Sequence, residues 1–262
     1  MLVFRSLAFN TLFYLATAII AIVGLPALVS QTASLRVAQF WGRTALWLLR
    51  VVGGTRVDFR GLETVPPGPL LIAAKHQSTL ETIALTVPFD NFAYVLKREL
   101  MWIPLFGWYL ARTGMVPIDR SKGTHAMAAL NLAAVDAIRQ GRRLIVFPEG
   151  TRRPVGAPVV YKQGLSHLYV ALGVPCLPVA LNTGLFWGRH SVRRMPGTAV
   201  IEVLPVIPHG LDRLGFLAEV QSRIETASDA LLVQGRAELA RRGLAVPVAT
   251  SDAVPSERPG AI

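Results

Sequence analysis

The sequence predicts an α/β fold: a mixed, mostly parallel sheet flanked by helices, preceded by an N-terminal membrane-associated helical segment. Three observations carry this. Seven short apolar runs alternate with stretches of helical periodicity. No charged residue occurs between Arg5 and Arg36. Of the 262 residues, 52% are hydrophobic and 16% charged, against about 25% charged in an ordinary soluble domain. That balance excludes disorder for most of the chain and favours contact with a membrane.

The apolar stretch 7–29 matches a bilayer core of about 30 Å at about 1.5 Å per residue. A signal peptide competes, with Arg5 as its basic start and Ala16-Thr17-Ala18 as its cleavage site. Its apolar region would run about 7–15 residues, and this run is longer, so a retained anchor is expected. Gly24 and Pro26 can end or kink the helix, which leaves open a span or a pair of interfacial helices. Residues 34–52 place Arg36, Arg43 and Arg50 seven apart, on one helical face, beside Phe40, Trp41 and Trp47. This is an amphipathic helix on an anionic membrane surface, or else a domain helix with a solvated arginine face. Residues 1–54 therefore read as one N-terminal unit. The arginine excess after the anchor places the main domain on the cytoplasmic side of the membrane.

The candidate strands are 56–60, 70–74, 93–96, 115–118, 144–147, 176–181 and 199–204. The two prolines in 174–182, Pro175 and Pro178, mark that strand as an edge or bulged one. A helix over 125–140 is set by Met127, Leu130, Ala134 and Ile138, with Gly141 as its left-handed terminator. A long helix over 211–242 is expected to break or bend near Gly235. The main domain thus covers 55–242, and 243–262 reads as a flexible tail.

The net charge of +11 calls for an anionic partner. Only 4 of the 27 basic residues are lysine. Their dispersal and the lack of a binding motif argue against nucleic acid, and leave an acidic carrier or an anionic lipid surface. The single cysteine, Cys176, implies no intramolecular disulfide, and no clustered ligand spacing suggests a metal.

Three segments carry polar chemistry at the ends of apolar runs, where α/β proteins build their sites. In Lys75-His76-Gln77-Ser78-Thr79-Leu80-Glu81, the histidine ends a strand and the glutamate lies five residues on. They meet only if the chain turns between them, giving a general base and its orienting carboxylate. Ser78-x-x-Glu81 equally matches a capping box, and His76 alone would more often be structural. In Gly114-Met115-Val116-Pro117-Ile118-Asp119-Arg120, Arg120 can grip a phosphate or pair with Asp119. Phe147-Pro148-Glu149-Gly150-Thr151-Arg152 combines a turn glycine with a carboxylate, a hydroxyl and a guanidinium. It suits an oxygen-rich anion, with Glu149 on a glycerol-like hydroxyl, or it is a plain polar turn. Lys162, in Tyr161-Lys162-Gln163-Gly164, is a further phosphate candidate or a solvated lysine.

Taken together and in order, His76-x4-Glu81, the Gly114 to Arg120 segment, Phe147 to Arg152 and the Val174-Pro175…Pro178-Val179 segment resemble the four motifs of the PlsC-type 1-acyl-sn-glycerol-3-phosphate acyltransferases. Lys97-Arg98-Glu99-Leu100 with Pro104 and Gly107 resembles the stretch between the first two. One departure is Glu81, where the family usually has aspartate. The resemblance implies the glycerolipid acyltransferase fold and transfer of an acyl group from acyl-CoA or acyl-carrier protein to a lysophospholipid hydroxyl, with no cofactor beyond that donor. It implies His76 as base and Glu81 as its orienter. Arg120 and Arg152 would hold the acceptor phosphate, and Glu149, Gly150 and Thr151 would shape the pocket. No acyl-enzyme is expected, since no Gly-x-Ser-x-Gly elbow is present. The competing readings are the same chemistry on another lyso-lipid, such as a lyso-ornithine lipid, and a non-catalytic scaffold for anionic lipid.

Overall fold

The computed structural model describes residues 1–119 and 123–245. Seven strands form one sheet: β1 Thr55–Arg60, β2 Leu70–Ala74, β3 Phe92–Lys97, β4 Val116–Ile118, β5 Arg143–Val146, β6 Cys176–Leu181 and β7 Gly197–Val203. Their order is β1-β7-β6-β2-β5-β3-β4. Neighbours run parallel except β6 and β7. The eight helices described are α1 Leu2–Val23, α2 Gln31–Leu48, α3 Leu80–Ala84, α4 Phe106–Arg112, α5 Gly123–Arg139, α6 Gly164–Leu172, α7 Thr183–Phe186 and α8 Arg213–Arg241.

The central strands are near-continuous apolar runs because helices cover both faces. On one face Leu71, Ala73, Leu144 and Val146 pack against α5, α6 and α8 through Leu130, Leu168 and Phe216. On the other, Leu70, Ile72, Ala74 and Ile145 meet Leu35 of α2, Ala84 of α3 and Leu110 of α4. Strand alternation therefore decides which helices each residue beyond a strand end will meet. Helix α5 ends at Gly141 in the left-handed region (φ 72°), as its sequence predicts.

The N-terminal helices differ from a free-standing anchor. Helix α1 stops at Gly24, and Pro26 lies in a short 3₁₀ turn, Leu25–Val29, before α2. One stripe of α1 is docked on the domain. Phe9 and Phe13 are buried and meet Trp187 edge-on at 5.4 and 5.8 Å, and Ser6 Oγ accepts from Arg194 N. Further along, Thr17 Oγ1 accepts from Trp41 Nε1 and the carbonyl of Ala21 accepts from Tyr109 Oη. The opposite stripe, Phe4, Leu7, Leu15, Ile19 and Ile22, is exposed. Helix α2 buries Leu35, Ala45 and Leu48 and exposes Arg36, Phe40, Arg43 and Trp47, and Arg50 is exposed in the turn that follows it.

Two expectations are corrected. Strand β6 is interior, between β7 and β2, so of the edge and bulge alternatives the edge is excluded and the bulge holds. Leu204 N donates to Pro178 O, and the pairing with β7 then shifts by one residue to the Cys176–Ile207 bridge, so the donor that Pro178 lacks falls beside a bulge. Helix α8 runs unbroken through Gly235. That glycine permits close contact instead: a Cβ there would lie 2.7 Å from Leu185 Cδ1 and 3.0 Å from Asn182 Nδ2. The tail expected over 243–262 falls mainly on 246–262, outside the described residues.

Gly235→Ala tests the packing. Helix propensity alone predicts a gain of about 1 kcal/mol. The contact with Leu185 and Asn182 predicts a net loss of about 1–3 kcal/mol, read as a lower denaturant midpoint.

Candidate active site

The site forms where β2 and β5 end. These strands pair in parallel register, Ala73 opposite Val146, so the segments that follow leave the sheet side by side. The chain turns after β2 through His76, Gln77 and Ser78 into α3, whose first turn carries Glu81. Glu81 is fully buried, and its Oε1 lies 2.9 Å from His76 Nδ1. The same oxygen accepts from the backbone N–H groups of Gln77 (2.7 Å) and Ser78 (2.6 Å), and Ser78 Oγ accepts from Leu80 N. The capping box and the histidine partnership are therefore one arrangement, because a carboxylate offers about four lone-pair sites. Its other oxygen, Oε2, accepts from Thr183 Oγ1 at 2.6 Å.

An ionised carboxylate only accepts, so Nδ1 of His76 carries the proton and Nε2 bears the lone pair. The ring stacks on Phe147 at 3.9 Å and is 14% exposed. That fixes its plane and leaves an edge open to a cavity of about 810 Å³. The cavity is mainly apolar and runs between the domain and the N-terminal helices. Tyr14, Ala18 and Ala21 of α1, Val37 and Trp41 of α2, and Tyr109 and Leu110 of α4 form its walls.

Gly150, Thr151 and Arg152 also line it. The turn after β5 closes through Gly150 N to Phe147 O and puts Gly150 at φ 67°, a conformation that favours glycine. Arg152 Nη1 reaches back to Thr79 Oγ1 at 2.6 Å, and Arg153 N donates to His76 O at 2.8 Å. The candidate base and the candidate phosphate grip are thus bonded into one frame.

Other expected residues fall elsewhere. Arg120 lies outside the described residues. Its neighbour Asp119 accepts from Arg98 at 3.1 Å. Glu149 does not line the cavity: it is buried, with Oε1 2.6 Å from Lys75 Nζ. Burial pushes its carboxyl up to about 7 against the pull of Lys75. Burial also works against the Lys75 ammonium, but Glu149 and Glu225 outweigh it and hold its pKa above the ordinary range. Lys162 is exposed and outside the cavity lining, and its backbone N–H donates to Pro148 O. Cys176 is buried, which raises its thiol pKa and removes it as a nucleophile.

Sequence reasoning left out Thr183 and Phe147 as a stacking partner, and it gave Lys97, quoted only within a family-like stretch, no place at the site, where it is a cation on the cavity wall. A search for basic residues at strand ends would have found Lys97, the last residue of β3. Thr183 leaves no local signal, since it meets Glu81 across 102 positions.

Residues 56–182 match the Acyltransferase family model. The 1-acyl-sn-glycerol-3-phosphate acyltransferase of Pseudomonas aeruginosa is 40% identical over 189 residues, covering 72% of this chain and 74% of the relative. The Homo sapiens 1-acyl-sn-glycerol-3-phosphate acyltransferase alpha is 30% identical over 169 residues, covering 63% of this chain and 60% of the relative. The crystal structure of the 1-acyl-sn-glycerophosphate acyltransferase PlsC from Thermotoga maritima shares the fold, with a TM-score of 0.75 at 24% identity over 88% of this chain and 98% of that one. With the half-buried His76 held by the buried Glu81 on the wall of an apolar cavity, the chain belongs to the PlsC-type acyltransferase family.

Proposed function

We propose that this acyltransferase moves a fatty acyl group from acyl-CoA or acyl-carrier protein to the free hydroxyl of 1-acyl-glycerol-3-phosphate, giving phosphatidic acid. The observation that carries the reading is one cavity lined both by His76 and by Arg152, with apolar walls between them and the N-terminal helices. The walls suit an acyl chain, and the polar mouth suits a phosphorylated glycerol.

In this mechanism His76 Nε2 removes the proton of the acceptor hydroxyl, and the oxygen attacks the thioester carbonyl. Glu81 holds the tautomer and stabilises the imidazolium, as the second hydrogen bond of a base must. The tetrahedral intermediate collapses with breakage of the C–S bond, and the thiolate leaves with the proton from His76. The step needs no acyl-enzyme: among the described residues Cys176 and Ser78 are both buried. Arg152 grips the acceptor phosphate, with Thr151 and Gly150 beside it, and Lys97 adds positive charge on the wall.

Helices α1 and α2 dock the enzyme on a membrane. Helix α1 is long and apolar enough to cross a membrane, but its contacts with the domain at Ser6 and Ala21 favour a place in one leaflet, with its exposed apolar stripe in the acyl region. The arginines and aromatics of α2 meet the anionic headgroups, with the domain on the cytoplasmic side.

Acyl-transfer assays with 1-acyl-glycerol-3-phosphate, a phosphate-free lyso-lipid and both donor types test the substrate. Turnover of the phosphate-bearing acceptor alone is expected, and equal use of the phosphate-free one overturns the assignment. His76→Ala should lower kcat by about 10²–10⁴-fold. Glu81→Gln, whose amide can impose the wrong tautomer, should fall in the same range of about 10²–10⁴-fold. Glu81→Asp should keep a good part of the activity, and wild-type turnover in Glu81→Ala would reduce Glu81 to a helix cap. Thr183→Val should cost about tenfold in kcat through the stranded Oε2, and Thr183→Ser should restore it. Arg152→Ala should raise acceptor KM by about tenfold or more, and an unchanged acceptor KM removes it from the pocket.

A further inference from the structure

Behind the site lies a cluster of buried charge that the mechanism above does not use. Lys75 Nζ is 2.6 Å from Glu149 Oε1 and 2.7–2.8 Å from both oxygens of Glu225. Tyr161 Oη donates to Glu225 Oε1 at 2.8 Å. The side chains of Lys75 and Glu149 are 9% and 0% exposed. These residues come from the end of β2, the turn after β5, the segment before α6, and α8. Glu225 is outside the matched residues 56–182.

The placement follows from strand alternation. Leu71 and Ala73 face α8, so Lys75 does too, while His76 turns to the opposite face and the cavity. Each partner of the Lys75–Glu149 ion pair directly precedes half of the site: His76 follows Lys75, and Gly150 to Arg152 follow Glu149. Neither oxygen of Glu149 has a hydrogen-bond partner among the described residues, so the 2.6 Å ion-pair contact with Lys75 is what holds that carboxylate in place. A buried ion pair is weak evidence for stability, since apolar residues of similar volume often serve as well. Its value here is geometric.

We propose that Lys75, braced by Glu225 of α8, is a positioning residue: the triad sets the separation between the base His76 and the phosphate grip at Arg152. It does so from behind, without touching substrate, and it couples α8 to acceptor binding. This rests on the acceptor reading given above.

The test uses the full-length enzyme and compares Glu225→Gln, Lys75→Met, their double variant and Arg152→Ala. KM is measured for 1-acyl-glycerol-3-phosphate and, separately, for the acyl donor. A misplacement on the ångström scale can cost up to about 10²-fold. Lys75→Met and Glu225→Gln are expected to raise acceptor KM by about tenfold while donor KM stays within about twofold, and the double variant is expected to do no more than Lys75→Met alone. If Lys75→Met fails to fold, Glu225→Gln, which keeps the shape of the side chain, decides the matter. Equal shifts in both KM values, or a lower melting temperature with neither KM changed, overturn the positioning role. An unchanged acceptor KM in Arg152→Ala overturns the acceptor reading itself, a different outcome from failure of the triad variants alone.

Discussion

The parallel hydrogen-bond register of β2 and β5 is the constraint on which the site depends. With Ala73 opposite Val146, the chain leaves both strands at one level, so the residues after them are neighbours although more than seventy positions separate them. His76, Glu81, Gly150, Thr151 and Arg152 all hang from these two exits. His76 and Lys75 leave β2 on opposite faces, and Phe147, Glu149 and Arg152 leave β5. Backbone bonds such as Arg153 N to His76 O join the two exits directly. A one-residue slip in that pairing would turn the base into the α8 face and the lysine into the cavity.

Around this register the molecule divides its labour by face. The α1, α2 and α4 side holds the cavity, mainly apolar and closed by helices that present apolar and basic stripes outward. The α5, α6 and α8 side holds the deep core, the buried charges of Lys75 and Glu149, and the half-buried Glu225. The first is where a lipid belongs. The second holds the frame on which His76 and Arg152 stand, and the proposed base would need such a frame to work through one nitrogen. Phe147 belongs to the first side, and its stacking on His76 is what keeps the imidazole edge-on to the cavity.

The glutamate at position 81 shows how one side chain serves structure and chemistry together. Its Oε1 closes the start of α3 and orients His76, and its Oε2 reaches Thr183. The longer side chain is fully occupied by these partners. Local spacing left the capping and catalytic readings as rivals, because each was legible from residues 76–81 alone. Only the folded chain shows that they do not compete.

The sequence by itself determined the strand set, the helix ending at Gly141, the apolar N-terminal helix and the bend that brings His76 to Glu81. These depend on residues near in the chain, through periodicity, turn chemistry and capping. Tertiary structure decided the rest. It moved Glu149 out of the pocket to Lys75, set β6 in the middle of the sheet despite Pro178, and carried α8 without a break through Gly235. It also recruited Thr183 and Glu225 from far along the chain. The reason is physical: an ion pair, a packing contact or a ladder hydrogen bond between distant segments is settled by which faces the fold brings together, and no local pattern encodes its partner.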